Sequence, residues 1–190
     1  MSEIAILILA AGSSSRMGKV KQLLPYKHTT LLGWAIEQAL ESVADEVICV
    51  LGAEVNLIEK SIQSYDVKTI YNENYKDGLS SSIALGIENL QNTKAVLIML
   101  ADQPNISSNF LNRLLEKYSI QPNKIIASNY GNSVGVPAVF PKKYYPDLLK
   151  LKGDKGARNV LSKFDVVIVK IEPHSLLDID TLEDYRDIIS

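Results

Sequence analysis

The sequence has few residues that build disulfides or metal clusters. It contains one cysteine, Cys49, and two histidines, His28 and His174. A single cysteine cannot form an internal disulfide, and neither histidine has a second histidine or cysteine at zinc-ligand spacing. Cys49 lies within an apolar run, where a buried and unreactive thiol is expected. These absences argue against disulfide scaffolds and zinc modules.

The chain also has little net charge and no long apolar run. The chain has 20 Lys and Arg residues and 22 Asp and Glu residues, which gives a net charge of -2. This balance favours neither nucleic acid nor an anionic membrane as a partner, so local cations must hold any anionic ligand. The apolar run Ile4–Ala11 has no basic leader and is too short to span a bilayer. We therefore expect a buried strand there and a cytoplasmic location.

Apolar, β-branched runs alternate with amphipathic stretches over the 190 residues, which predicts one domain over residues 1–190. The near-continuous apolar runs are typical of a parallel sheet covered on both faces. The pattern predicts a Rossmann-like, three-layer α/β/α sandwich with a mostly parallel sheet. Predicted strands are Ile4–Leu9, Glu46–Leu51, Val67–Tyr71, Ala95–Leu100, Lys124–Ser128, Val134–Phe140 and Val166–Lys170. Predicted helices are Leu31–Ser42, Val55–Gln63, Ser80–Asn89, Ser107–Tyr118, Lys142–Leu149, Lys155–Lys163 and Leu182–Ile188.

The loop after the first strand has the composition of a phosphate-binding loop. Residues 10–15 are all small, and Gly12 can adopt a positive φ without strain. Backbone N–H groups in such a loop can form an anion-binding nest. Arg16 and Lys21 add a planar fork of donors and a mobile point charge. A serine-rich surface turn is the alternative interpretation.

Two well-known phosphate loops do not fit this segment. A Walker A loop needs four residues between its glycines, whereas five separate Gly12 from Gly18, and Val20 follows Lys19 where Ser or Thr is required. The dinucleotide pattern G-x-G-x-x-G is also absent.

A carboxylate follows the most apolar strand, in the stretch Ala101-Asp102-Gln103-Pro104. Such a carboxylate is costly unless it is paired, solvated at a crevice or bound to a metal. Open α/β sheets bind ligands beyond the carboxyl ends of their strands, and oxygen ligands suit Mg²⁺. We therefore predict Asp102 as a magnesium ligand. A helix cap or turn residue before Pro104 is the structural alternative.

Together these motifs resemble the MobA-like NTP transferase family, which includes molybdenum cofactor cytidylyltransferases and guanylyltransferases. The pattern is Leu-Ala-Ala-Gly-x-x-x-Arg-Met-Gly-x-x-Lys, followed by Ala-Asp-Gln-Pro. The resemblance implies that Leu9, Ala10, Ala11 and Gly12 line the base and ribose. It further implies that Arg16 and Lys21 hold phosphates as catalytic residues beside Asp102 and its Mg²⁺. Leu-Ala-Ala-Gly is typical of the branch that uses CTP, so Ala11 favours cytidine.

Two later segments extend the resemblance. The stretch from Gly78 to Ser82 is similar to a family motif whose serine contacts the base, which implies Gly78 and Ser82 as nucleotide-binding residues. Asp178-Ile179-Asp180-Thr181 is similar to the family's Asp-x-Asp-Thr motif, which implies a second metal ligand, with Asp180 preferred to Asp178. Helix capping by Ser80 or Ser81, and a capped acidic helix start at Thr181, are the structural alternatives.

The segments Gly135–Phe140 and Gly153–Arg158 resemble those flanking the acceptor in the family. Val136 replaces a histidine common in the molybdenum cofactor branch, which leaves the acceptor open. Lys155 and Arg158 either meet an acceptor phosphate or lie on a solvated loop.

The reaction implied is transfer of CMP from CTP to a phosphorylated small-molecule acceptor such as the molybdopterin cofactor, with release of pyrophosphate. A molybdenum hydroxylase apoenzyme would be a further partner. The alternatives are a related transferase that uses GTP or a sugar or alcohol phosphate, and a non-catalytic chaperone of molybdenum cofactor.

Overall fold

Strands and helices alternate along most of the chain. The computed structural model describes residues 3–14, 17–90, 92–129, 131, 133–171 and 178–189. The strands are β1 (Ile4–Ala10), β2 (Pro25–Tyr26), β3 (Thr29–Thr30), β4 (Glu46–Leu51), β5 (Lys68–Tyr71), β6 (Ala95–Leu100), β7 (Ile125–Asn129), β8 (Val134–Pro141) and β9 (Val166–Val169). The α-helices are α1 (Leu31–Leu40), α2 (Val55–Ile62), α3 (Leu79–Asn89), α4 (Ser108–Ile120), α5 (Tyr145–Leu149), α6 (Arg158–Leu161) and α7 (Leu182–Ile189). Turns of 3₁₀-helix lie at Lys21–Leu23, Tyr75–Asp77 and Lys142–Tyr144.

A seven-stranded sheet, in the order β5-β4-β1-β6-β8-β7-β9, carries the fold. β1 pairs in parallel with β4 and β6, whereas β8 runs antiparallel to β6 and β7. Residues 130–133 alone separate β7 from β8, which is too short for a parallel crossover. Helices cover both faces of the sheet, so the predicted Rossmann-like sandwich with a mostly parallel sheet is confirmed.

The side chains of β1 alternate between two buried layers. Ile6 and Ile8 pack with α1, α2 and α4 on one face. Leu7 and Leu9 pack with α3, α5 and α6 on the other. Burial of each large aliphatic side chain contributes about 1.5–3 kcal/mol. This two-sided packing fixes β1 and the loop that leaves its carboxyl end.

A third, smaller cluster joins the first loop to the end of the chain. Met17, Tyr26 and Ile179 are buried within it, and residues of α7 pack against them. The residues before α7 are therefore held beside the first loop, although many residues separate the two segments in sequence. Among the residues described, none of the helices has the length and apolarity needed to cross a bilayer.

Several predicted boundaries were wrong. The helix predicted at Lys155–Lys163 is reduced to α6, because the preceding residues form a loop in which Gly153 has a φ of 65°. The helix predicted at Lys142–Leu149 begins as a 3₁₀ turn and becomes α-helical near Pro146, which is tolerated only in the first helical turn. The β2–β3 hairpin was not predicted, since two-residue strands carry too few residues to show an alternation.

Candidate active site

A cleft of about 500 Å³ opens at the carboxyl ends of β1 and β6. Most of the predicted nucleotide-binding residues line it, namely Leu9, Ala10, Ala11, Gly12, Lys21, Gly78 and Ser82, together with the predicted metal ligand Asp102. Arg16 lies outside the described residues. The cleft is also lined by residues that were not predicted as ligands: Ser13, Gln22, Leu31, Tyr75, Lys76, Leu79, Leu100, Ala101 and Asp154.

The Gln22 side chain holds the backbone of the first loop by hydrogen bonds. Its side-chain Nε2 donates to the carbonyl oxygens of Ala10 and Gly12, at 2.8 Å each, and the residue is 3% exposed. Its Oε1 accepts a hydrogen bond from the Ser14 hydroxyl. The backbone N–H groups of Gly12 and Ser13 donate to no other residue in the described part of the chain, so they remain available to an anion.

The expected use of Gly12 was wrong in one respect. Among the described residues of the loop, Ser14 and Gly18 have positive φ angles and Gly12 does not. A Cβ added to Gly12 would meet no atom within 4 Å. Because Gly12 lines the cleft, its missing side chain leaves space in which a ligand can approach the backbone.

Lys21 lies between two carboxylates. Its Nζ is 2.5 Å from Asp102 Oδ2 and 3.4 Å from Asp180 Oδ1. It also donates to the carbonyl oxygen of Ile179 at 3.0 Å. The backbone N–H of Ile179 donates in turn to the carbonyl oxygen of Asp102, at 3.0 Å. The structure therefore brings three predicted site residues, from three distant segments, to one point of the cleft.

The oxygens at this point are suited to a divalent cation. Asp102 Oδ1 is buried and has no hydrogen-bond partner within the described ranges. A buried carboxylate oxygen without a partner is costly, and a cation would remove that cost. No group of three His, Cys, Asp or Glu side chains in the described part of the chain forms a protein-only metal cage. Two carboxylates with substrate phosphates and water suit Mg²⁺, which seldom uses such cages.

Asp178 faces a different neighbour from Asp180. Its Oδ1 accepts a hydrogen bond from Gln103 Nε2 at 2.8 Å, and it lines a second cavity rather than the main cleft. Partial burial raises the pKa of the Asp178 carboxyl, and the nearby charges of Asp102 and Asp180 add to the increase. The geometry thus separates the two candidates for the second metal ligand.

The predicted helix start after Asp180 is also present. Asp184 Oδ2 accepts hydrogen bonds from the backbone N–H groups of Asp180 and Thr181, while the Thr181 hydroxyl accepts from Asp184 N–H. The Thr181 side-chain hydroxyl, followed by the backbone N–H groups of Thr181 and Asp180, lowers the pKa of the Asp184 carboxyl. Capping and a site role for Asp180 are therefore compatible, because the cap uses Asp184.

Asn72, which sequence reasoning did not single out, organises the start of α3. Its Nδ2 donates to the hydroxyl oxygens of Ser81 and Ser82, at 2.8 and 2.9 Å. Because Ser82 accepts from Asn72, its own hydroxyl proton is free to point towards an acceptor in the cleft. The N-cap of α3 is Gly78, so neither Ser80 nor Ser81 is the cap.

A second cavity of about 190 Å³ adjoins the cleft and shares Leu9, Leu79 and Leu100 with it. Ile98, Gln103 and Asp178 also line it, together with Val134–Val136 and Gly156–Arg158, which overlap the two segments assigned to the acceptor side from sequence. The structure thus brings these segments together, and Arg158 lines the cavity they form. Val136 contributes an apolar surface to it.

The chain matches the family model of the MobA-like NTP transferase domain over residues 6–167. It is 29% identical to purine catabolism protein PucB of Bacillus subtilis over 94% of this chain and 92% of the relative. It is 28% identical to molybdenum cofactor cytidylyltransferase of Escherichia coli over 97% and 95%. It is 29% identical to nicotine blue oxidoreductase of Paenarthrobacter nicotinovorans over 93% and 92%. Since relatives of nearly equal identity are named for different processes, the likeness establishes the family and not the substrates.

Solved structures agree with this relationship. The crystal structure of Rv0371c from Mycobacterium tuberculosis in complex with manganese is 26% identical to this chain. The two superpose with a TM-score of 0.84 over 98% of this chain and 97% of that one.

Proposed function

The chain belongs to the MobA-like NTP transferase family, and from this premise we propose that it transfers CMP from CTP to a phosphorylated acceptor, releasing pyrophosphate. The observation that carries the proposal is the convergence of Asp102 and Asp180 on Lys21, which lines the cleft together with Asp102 and the first loop. This arrangement supports binding of a triphosphate with its metal, because it offers both cationic and anionic groups at the edge of the sheet where such folds bind ligands.

The cleft supports a division of roles along the nucleotide. Leu9 to Gly12 would line the base and ribose, with Gly78 and Ser82 on the opposite wall. The free N–H groups of Gly12 and Ser13 would receive phosphate oxygens, as would Lys21 and Arg16. Asp102 and Asp180 would hold Mg²⁺, which when bound would neutralise charge on the phosphate oxygens.

Chemically, the step is an in-line displacement. An oxygen of the acceptor phosphate forms a bond to the α-phosphorus of CTP, while the bond from that phosphorus to the bridging oxygen of the β-phosphate breaks. Pyrophosphate leaves with the electron pair, and because the acceptor phosphate is already ionised no general base is required. The protein contributes positioning and charge neutralisation, with Lys21 and Arg16 stabilising the leaving group.

The second cavity supports a phosphorylated acceptor beside the nucleotide. It meets the main cleft at Leu9 and Leu100, and Arg158 lines it with a cation suited to phosphate. Molybdopterin cofactor is the acceptor we propose, and a molybdenum hydroxylase apoenzyme would receive the product. Cytidine is proposed because Ala11 gives the first loop the form typical of the CTP branch.

The proposal is tested by measuring pyrophosphate release with each of four NTPs and a panel of acceptors. CTP with molybdopterin should give the highest rate, and Asp102→Asn should lower that rate on the order of 100-fold or more because a metal ligand is lost. Asp66→Asn is the matched control, since Asp66 is an exposed carboxylate before β5, at the opposite end of the sheet.

Each other outcome has a definite meaning. A fully active Asp102→Asn protein would contradict the metal role. Faster release with GTP would overturn the cytidine assignment, and faster release with a sugar or alcohol phosphate would overturn the acceptor. Nucleotide or cofactor binding without any pyrophosphate release would instead support a chaperone.

A further inference from the structure

The ammonium group of Lys21 fills the position between Asp102 and Asp180. It has three N–H donors, and the three oxygens around it are Asp102 Oδ2, Asp180 Oδ1 and the carbonyl oxygen of Ile179. The side chains of Lys21 and Asp102 are 17% and 16% exposed, so their contact is partly shielded from water, whereas the Asp180 side chain is 53% exposed. Lys21 therefore cannot turn towards a triphosphate without giving up at least one of them.

A divalent cation bound to the same carboxylates would compete with this ammonium group. The two cations would need the same negative charges, and at such short range in a partly buried cleft their repulsion is strong. Asp102 Oδ1, which is buried without a partner in the described ranges, is the one oxygen of Asp102 that Lys21 does not occupy. A metal ion could thus begin to bind there, but it could not use both oxygens of Asp102 while Lys21 stays.

The backbone of Lys21 is held by contacts that are independent of its ammonium group. Its N–H donates to the Ser14 hydroxyl at 3.1 Å, and the residue begins the 3₁₀ turn Lys21–Leu23. Its four-carbon stem can rotate without moving this backbone, and the cleft lined by Gly12 and Ser13 lies next to it.

We propose that Lys21 acts as an exchangeable internal cation, which holds Asp102 and Asp180 together in the free protein and opposes metal binding until a triphosphate draws it away. The inference rests on the proposed function, because it takes the anion that draws Lys21 away to be the NTP. It makes metal binding depend on the nucleotide. A metal ion then binds weakly to the free protein and firmly once the triphosphate has taken the ammonium group.

The test measures Mn²⁺ binding without turnover, by the loss of the free Mn²⁺ signal in electron paramagnetic resonance. Wild-type protein is compared with Lys21→Met and with Lys19→Met, which removes an exposed lysine of the same loop. In the absence of nucleotide, Lys21→Met should bind Mn²⁺ about tenfold more tightly than wild type, a typical coupling between two sites. Lys19→Met should match wild type. Addition of CTP without acceptor should tighten Mn²⁺ binding more in wild type than in Lys21→Met.

Unchanged or weaker Mn²⁺ binding by a folded Lys21→Met protein would overturn the proposal. If its melting curve shows that it does not fold, Lys21→Gln, which keeps a donor for Asp102, is measured in the same way and decides the question. The nucleotide-free comparison does not depend on catalysis. Failure of this inference is therefore distinguishable from failure of the transferase proposal, which pyrophosphate release reports.

Discussion

At the scale of single residues, Gln22 links the cleft to the core of the first loop. One side-chain amide holds two carbonyl oxygens, those of Ala10 and Gly12, and receives a hydroxyl from Ser14. Without this amide, the two carbonyl oxygens would either be buried without a hydrogen-bond donor or face a phosphate, which would repel them. Gln22 therefore binds carbonyl oxygens of the loop, which leaves phosphate binding to the N–H groups of Gly12 and Ser13.

Replacing Gln22 by Glu should damage both the loop and the fold. The change removes the two donors and places a carboxylate against two carbonyl oxygens at a site that is 3% exposed. We expect the free energy of unfolding to fall by about 2–4 kcal/mol, and the KM for CTP to rise about tenfold or more. Urea unfolding and steady-state kinetics check this, with the exposed Gln63→Glu as the control. Equal KM values for wild type and Gln22→Glu would show that Gln22 does not position the nucleotide loop.

The residues that sequence reasoning found differ in kind from those it missed. Asp102 lies just beyond the buried strand β6, and Lys21 lies at the far end of the loop that follows β1. A parallel sheet binds its ligands at this edge, so residue type and position predict that the two charges meet. Gln22 and Asn72 are neutral amides whose importance depends on which backbone or hydroxyl groups lie within reach. That information comes from tertiary contacts, which no local pattern carries. The position of Lys21 between Asp102 and Asp180 was missed for the same reason.

At the scale of elements, the start of α3 is held in place by a loop far along the chain. Gly78, its N-cap, has a φ of 98° and lies against the backbone of Gly153 and Asp154. The N–H of Ser80 donates to the carbonyl oxygen of Gly153 at 3.1 Å. This contact joins the wall that carries Ser82 to the loop that leads into the second cavity.

Gly78→Ala should separate these two elements. An added Cβ would lie 2.4 Å from the backbone carbon of Gly153, and the positive φ is itself unfavourable for alanine. We expect a loss of about 2–4 kcal/mol in unfolding free energy and a rate of pyrophosphate release lowered about tenfold.

Gly153→Ala is the matched control for Gly78→Ala. Gly153 also has a positive φ, 65°, but its Cβ would meet no atom within 4 Å. It should therefore lose only about 1–2 kcal/mol from backbone strain. If the two variants proved equally stable and active, close packing at Gly78 would have no role.

Sequence patterns predict some of the helices and strands but not all of them. The central strands and amphipathic helices were predicted because their apolar periodicity follows directly from burial on one or two sides. Thr30 and Ser107 cap α1 and α4, where their side chains accept from Gly33 N–H and Phe110 N–H. The short α6 and the β2–β3 hairpin depend instead on loop geometry and tertiary packing, so their bounds could not be read from periodicity.

At the scale of the whole molecule, polar groups are buried between layers as well as at the site. Tyr145 of α5 is 3% exposed, and its hydroxyl lies 2.7 Å from the Thr93 hydroxyl. Thr93 donates its own proton to the carbonyl oxygen of Leu90, so Tyr145 is the donor of the pair. This bond ties α5 to the turn between α3 and β6, on the face of the sheet opposite α1 and α4.

Burial raises the pKa of Tyr145 to about 12, which makes the stability of the fold depend on alkaline pH. Between pH 10 and pH 12 the unfolded chain loses the phenolic proton while the folded chain keeps it, so ionisation favours the unfolded state. The contribution of Tyr145 to the free energy of unfolding is fully present below pH 10 and falls by about 1.4 kcal/mol by pH 11. Burial raises the pKa of Cys49 to about 12 as well, so wild-type stability should fall further than Tyr145 alone requires.

Tyr145→Phe isolates the contribution of the phenol. At pH 8 the variant should be less stable than wild type by about 1 kcal/mol, because Thr93 loses its donor. Between pH 8 and pH 11 it should lose about 1.4 kcal/mol less than wild type, since it has no phenol to ionise. Urea unfolding at both pH values measures the two differences, and Tyr71→Phe, at a position 48% exposed, should keep the wild-type pH dependence. If Tyr145→Phe lost as much stability as wild type between pH 8 and pH 11, other groups would cause the alkaline loss of stability. The packing of α5 would then not depend on a neutral phenol at position 145.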